Sequence, residues 1–313
     1  MTTRRDFLQT SAALFVAGCA RATPALGGLT AGSATADRPR LGFSTLGCPK
    51  WDWNQIVDFA ATHGYSGIEL RGIGAQMDLS RVPQFAPDTI AATKRQLADR
   101  GLRIVDLGAS ANMHETDAAK RAADFDEARR FIDLAQTLDA RFIRVFGNKY
   151  LPGVPREATL ERVASGLREL GSYARDKNVT VLLESHGDFT DSPTLVEIMR
   201  RTDSPGVALL WDAHHTFAFG HEAPEDTYRQ IGGYVRHVHL KDSVLAGNDR
   251  RYVLTGAGDV PVRRQIEVLA RNNYAGYYNF EWEKRWHPEI EEPEVAFAQF
   301  AEVASGYLRD ARR

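Results

Sequence analysis

Eight short apolar runs alternate with longer segments of helical periodicity, and this alternation limits the fold more than any other feature. The runs are Leu41–Thr45, Gly67–Arg71, Arg103–Leu107, Phe142–Phe146, Val179–Glu184, Val207–Trp211, Val235–Leu240 and Tyr277–Trp282. Between them lie amphipathic stretches. Trp53–His63 puts Ile56, Val57 and Ala60 on one face and stops at Gly64, and Thr89–Arg100 stops at Gly101. Ala118–Leu138 spaces Phe125, Ala128, Ile132 and Ala135 three and four residues apart, and Leu160–Arg175 carries Val163, Leu167 and Leu170. Pro261–Arg271 and Pro293–Leu308 open on proline, while Pro224–Ile231 has the weakest pattern. Glycine just past a helix and proline at its start are the expected punctuation. Strict strand–helix alternation predicts a parallel sheet with helices outside. Eight units predict closure, so the expected fold class is α/β, a single-domain (β/α)8 TIM barrel over residues 40–313, a normal length for that architecture. The competing open doubly wound sheet would want a Gly-rich phosphate turn. Gly72-Ile73-Gly74 lacks the third glycine and opens no helix.

The first residues read as a targeting segment. Arg4-Arg5 is followed by Phe7-Leu8 and by an apolar run from Ala12 to Ala17 that is too short to span a membrane. Residues 1–18 are therefore expected to be a twin-arginine export signal. The run ends in Val16-Ala17-Gly18-Cys19, which resembles a bacterial lipobox. Cys19 would then be the lipidated first residue of a periplasmic lipoprotein, with residues 19–39 as a flexible tether. The alternative is plain secretion with cleavage later, after Ala36. With Cys19 lipidated, Cys48 is the remaining thiol, so disulfide frameworks and thiolate metal clusters are excluded. A formal net charge of −2 offers no basic excess for nucleic acid. The membrane is a partner only through the lipid anchor, and self-association into a homo-oligomer stays open.

Four of the runs carry a metal-binding residue type at or beside their carboxyl end. Glu184 closes VTVLLE, Asp212 follows VALLW, His239 lies in VRHVHL and Glu281 in YYNFEW. In a barrel of this kind the carboxyl ends of the strands share one face. Crowded buried carboxylates without a cation would repel and neutralise. Oxygen donors with one imidazole suit one divalent metal ion (Mn²⁺, Mg²⁺, Co²⁺ or Zn²⁺) with positions open to a substrate.

The motifs GIEL (67–70), LLESHG (182–187), WDAHH (211–215), HVHLKD (237–242) and FEWE (280–283) together resemble the sugar isomerase/epimerase barrels of the xylose isomerase-like superfamily. The resemblance covers nearly all of the chain after the tether. It implies that Glu184, Asp212, His239 and Glu281 bind one divalent metal, and that Glu184 and Glu281 are the catalytic acid/base pair on opposite faces of the substrate. A metal on the carbonyl and hydroxyl oxygens makes the neighbouring proton removable by a carboxylate. The implied activity is that of a sugar isomerase or epimerase acting on a small carbohydrate. Loss of a β-leaving group from the same intermediate would make a lyase or hydratase on keto-glycosides. A sugar-binding lipoprotein without catalysis is the rival of another class.

Further candidates surround the four. His215, three residues after Asp212, matches the position of a substrate-contacting histidine, and His186, Lys241, Glu69 and His114 are expected to contact substrate as well. His237 shares the face of His239 and either orients it from one layer below or is a packed barrel histidine without a direct role. Arg144 reads as inward and structural, with Glu69 or Glu184 as its partner. Trp51, Trp53, Trp282 and Trp286 would pack the rim or stack on a sugar. Gly256-Ala257-Gly258 could offer backbone N–H groups to an anion. The chain departs from the epimerases where they carry an arginine past the seventh strand, here near Leu245, with Arg250 or Arg251 as substitutes. It also has Thr190 near the place of a further glutamate, and Tyr252-Val253-Leu254 lacks the extra metal ligands a nuclease of this superfamily needs.

Overall fold

A computed structural model describes residues 39–312 except Asn248. The twin-arginine segment, Cys19 and the tether through residue 38 lie outside the described residues. Eight parallel strands close a barrel: β1 (Leu41–Ser44), β2 (Gly67–Leu70), β3 (Arg103–Asn112), β4 (Phe142–Phe146), β5 (Thr180–Glu184), β6 (Val207–Asp212), β7 (Val235–Leu240) and, after a hairpin, β10 (Tyr278–Phe280), which pairs back onto β1. Helices fill the connections: α1 (Trp53–Thr62), α2 (Ile90–Asp99), α3 (Ala118–Thr137), α4 (Arg156–Ala174), α5 (Ser192–Thr202), α6 (Ala213–Ala218), α7 (Pro224–Ile231), α8 (Val262–Arg271) and α9 (Pro293–Ala311). The hairpin β8 (Asp242–Ala246) and β9 (Asp249–Val253) interrupts the alternation between β7 and α8.

Strand parity sorts the side chains into two layers. Outward residues such as Val181, Leu183, Leu209 and Val238 join the main apolar core with the helices. Phe43, Phe280, Phe297 and Phe300 tie β1 and β10 to α9, with Phe43–Phe297 and Phe280–Phe300 centroids each 4.4 Å apart. Full burial of such a side chain stabilises by about 1.5–3 kcal/mol. The inward layer is different. Leu182, Ala208 and Leu210, with Phe142 against them, form a small apolar plug. Above it the inward positions are polar: Glu69, Asp106, Arg144, Glu184, Asp212, His237, His239 and Asn279 are all buried. Two register steps help to build this layer. The β2–β3 pairing jumps from Ile68↔Ile104 to Glu69↔Asp106, and the β6–β7 pairing from Leu209↔Val235 to Leu210↔His237. Each is a bulge that re-aims the residues after it. The second leaves Arg236 exposed and brings His237 and His239 level with Leu210 and Asp212.

Candidate metal centre

Glu184 and Asp212 are the last residues of β5 and β6, His239 is the penultimate residue of β7, and Glu281 follows β10. All four are buried, and one donor atom from each lies within 4.8 Å of the others. His239 sits at the centre. Its Nδ1 is 3.2 Å from Glu281 Oε2, 3.6 Å from Glu184 Oε1 and 3.9 Å from Asp212 Oδ2. This buried nitrogen faces three carboxylates and makes no well-formed hydrogen bond. Burial would lower the imidazole's affinity for a proton, but Glu281 and Glu69 outweigh that and push its pKa well above the ordinary histidine value. The point that attracts a proton so strongly is the point a divalent ion would take, releasing that proton. The donor set and its enclosure fit such an ion.

Glu69 fixes the ring from below. Its Oε2 accepts from His239 Nε2 at 2.8 Å, His237 Nε2 at 2.9 Å and Asn279 Nδ2 at 3.0 Å. Burial alone would raise this carboxyl, yet His239 and His237 hold it well below the usual range. With Nε2 committed to Glu69, Nδ1 is left to point at the carboxylates. Glu69 is therefore a positioning group rather than the substrate contact expected of it. His237 shares the Glu69 oxygen with His239, and the two rings pack edge-on with centroids 5.8 Å apart.

Lys241, just past β7, is also placed differently from expectation. It is 0% exposed, and its Nζ lies 2.6 Å from Asp212 Oδ2, 3.0 Å from Glu283 Oε1 and against Glu281 Oε2. Burial would lower the ammonium pKa, but Asp212, Glu281 and Glu283 raise it well above the ordinary lysine value. Enclosed by acids, Lys241 does not reach the cavity. Glu283 does, and its carboxyl is pushed up to about 7, mainly by burial. Opposite, Arg144 Nε reaches Glu184 Oε2 at 2.8 Å and Nη1 donates to Ala109 O at 2.7 Å. Burial raises the Glu184 carboxyl, but Arg144 and His239 bring it down to about 2.

A cavity of about 90 Å³ opens over these groups, with His186 and His215 on its wall. His186 Nδ1 is 2.7 Å from Asn148 Oδ1, and the ring packs on Phe146 at 4.6 Å. His215 is positioned from α6, where its N–H donates to the capping Asp212 at 2.9 Å and its Nδ1 lies 3.1 Å from Ser185 O. Burial lowers both imidazole pKa values, so each is held neutral. Trp286, 57% exposed, stands at the mouth. Trp51, Trp53 and Trp282 are buried in the core. His114 lies beside Gly147 past β4 and is not on the cavity wall, contrary to expectation. The glycine-rich turn after β9 is no anion site either, because Gly256 N, Gly258 N and Val260 N all donate to the Asp242 carboxylate. Arg250 is bound to Ser243 and Asp259 of the hairpin region, and Arg251 is exposed.

The family described as "Xylose isomerase-like TIM barrel" matches residues 57–302. The chain belongs to this family. An inosose dehydratase of Clostridium perfringens is 29% identical over 183 residues, covering 53% of this chain and 58% of that protein. The match thus spans little more than half of that relative's length. An L-ribulose-5-phosphate 3-epimerase of Escherichia coli is 24% identical over 257 residues, 79% of this chain and 87% of that protein. A xylose isomerase-like TIM barrel protein from Mycobacterium smegmatis, solved in complex with magnesium, superposes with a TM-score of 0.67 at 18% identity, covering 88% of this chain and 98% of that one. The relatives thus include a dehydratase and an epimerase, and one structural neighbour was solved with magnesium.

Asn148 and Glu283 escaped a functional reading of the sequence, which offers Arg71 on an upstream strand without giving it a role. Glu283 shares the parity of Glu281 in FEWE, a usable signal. Arg71 sits one residue past β2 with the inward parity of Glu69. Asn148 lies two residues past β4, where strand parity no longer applies.

Proposed function

We propose that this chain is a divalent-metal-dependent isomerase or epimerase that removes and returns a proton α to a carbonyl of a sugar or keto-sugar. The observation that carries the reading is His239 Nδ1 facing Glu184, Asp212 and Glu281 in a buried cluster under a small cavity. Those four side chains would hold the ion, which supplies electrophilic stabilisation of the charge that develops on the substrate oxygens. Glu184 and Glu281 are both held ionised, Glu184 by Arg144 and Glu281 by His239 and Lys241 against the effect of burial, so neither carries a proton that would block it as a base. Burial excludes water and strengthens these interactions. His186 and His215, both neutral, can donate or accept at substrate hydroxyls.

One observation favours a second outcome of the same chemistry. Glu283 borders the cavity beside Glu281 and holds its proton up to about 7. A protonated carboxyl there could deliver that proton to a departing hydroxyl, which makes the site a lyase or hydratase. The similarity to a dehydratase supports this variant. A non-catalytic sugar binder has no need for two ionised glutamates at the cluster. The test is proton–deuterium exchange in D₂O with the Mn²⁺-loaded protein across hexoses, inositols and 3-keto-sugars, followed by NMR. Exchange at one carbon, abolished by Glu281→Gln with the fold retained, is expected. Full exchange in that variant would remove Glu281 from the mechanism.

A further inference from the structure

We propose that Arg71 is an anion-recognition residue and that the substrate of this cavity carries a carboxylate. The inference rests on the catalytic reading above and names a substrate class within it. Arg71 follows β2 and lines the cavity at 8% exposure. Its backbone is fixed by Thr45, whose Oγ1 accepts the Arg71 N–H at 2.8 Å and donates to Gly72 O at 2.6 Å. In the guanidinium, Nη2 donates to Ser110 Oγ at 3.1 Å, while Nη1 is buried with no partner. Among the described residues Arg71 forms no ion pair, whereas its neighbour Arg144 is spent on Glu184.

The two arginines run side by side across Gly108. A Cβ there would meet Arg71 Cδ at 2.8 Å and Arg144 Nη2 at 2.9 Å, so only glycine leaves room for the pair. Burial and the Arg144 charge lower the Arg71 pKa to about 10, which still leaves the guanidinium charged at neutral pH. A charged, buried group with an unfilled donor is costly unless something completes it. Its planar fork suits a carboxylate. A phosphate is disfavoured, because the backbone N–H cluster after β9 that would cradle one is already filled by Asp242.

The experiment is calorimetric binding to the Mn²⁺-loaded full chain of matched acid and neutral probes: glycerate and glycerol, gluconate and sorbitol, glucuronate and glucose, with glucose 6-phosphate as the phosphate arm. At least one acid is expected to bind tenfold or more tightly than its neutral partner. Arg71→Gln should reduce that preference below twofold with Mn²⁺ affinity retained, and Arg71→Lys should restore part of it. The inference is overturned by three results: no acid preferred in any pair, a preference that survives Arg71→Gln, or glucose 6-phosphate bound more tightly than glucuronate. Should Arg71→Gln not fold, Arg71→Lys carries the test, and an undiminished acid preference there overturns the carboxylate fork. Failure of the catalytic reading shows separately, as acid binding without deuterium exchange on any substrate.

Discussion

Replacing Glu69 by Gln isolates the electrostatic part of how His239 is aimed. Three donors converge on Glu69 Oε2, at 2.8 Å from His239, 2.9 Å from His237 and 3.0 Å from Asn279. An amide oxygen in that place keeps the geometry, and the amide nitrogen falls where Oε1 now has no hydrogen-bond partner. The fold should survive. What disappears is the negative charge behind the imidazole, which raises its basicity as a ligand and holds the tautomer with Nδ1 free. Loss of such a supporting carboxylate typically weakens metal binding 10- to 100-fold, about 1.4–2.7 kcal/mol. Competition of Mn²⁺ against a fluorescent chelator at pH 7.5 measures the difference, with the far-ultraviolet dichroism melt as the check on folding. Affinity equal to the wild type in a folded Glu69→Gln protein would show that Glu69 does not prepare the ligand.

Three further outcomes are expected. Burial, then the Glu69 charge, raises the Asp106 carboxyl well above its ordinary value. The folded state therefore keeps a proton that the unfolded state releases near pH 4, and stability falls as pH rises above that point, by up to about 1.4 kcal/mol per pH unit. Asp106→Asn should remove this slope, so it should stabilise the chain more at pH 7 than at pH 5 in urea titrations. An equal effect at both pH values would contradict the assignment. Lys241→Met removes the buried partner of three acids, and loss of one partner from a buried pair costs about 3–5 kcal/mol. The metal-free melting temperature should fall sharply and recover with Mn²⁺; an unchanged metal-free melt would refute the role. For the export reading, wild-type chain expressed in a Gram-negative bacterium should fractionate with the periplasmic face of the membrane, and Cys19→Ala should release it to the soluble fraction. Equal membrane retention of the two would argue against lipidation.

The barrel was legible because its signal is repeated: apolar strands and amphipathic helices alternate, and glycine or proline marks most boundaries. Glu184, Asp212, His239 and Glu281 were legible as a group because strand ends on one face converge whatever the details of packing. Residues next to them were harder. Glu69 and His237 share inward parity with the site, but whether an inward side chain meets substrate or a histidine depends on its depth, which a register step at Val105 or Arg236 alters without a sequence mark. Lys241 looked open because it follows a strand, yet three acids fold over it. The hairpin after β7 was hidden because Asp242–Ala246 and Asp249–Val253 are short and mostly polar or exposed. Its tethering of Asp242 turned an apparent anion loop into an internal one.

Whether Glu184, Asp212, His239 and Glu281 hold one divalent ion is decided by Mn²⁺ titration followed by electron paramagnetic resonance. One bound Mn²⁺ per chain is expected, lost in His239→Ala and in Asp212→Asn while both variants remain folded. No saturable binding by the wild type, or undiminished binding by both variants, would contradict it.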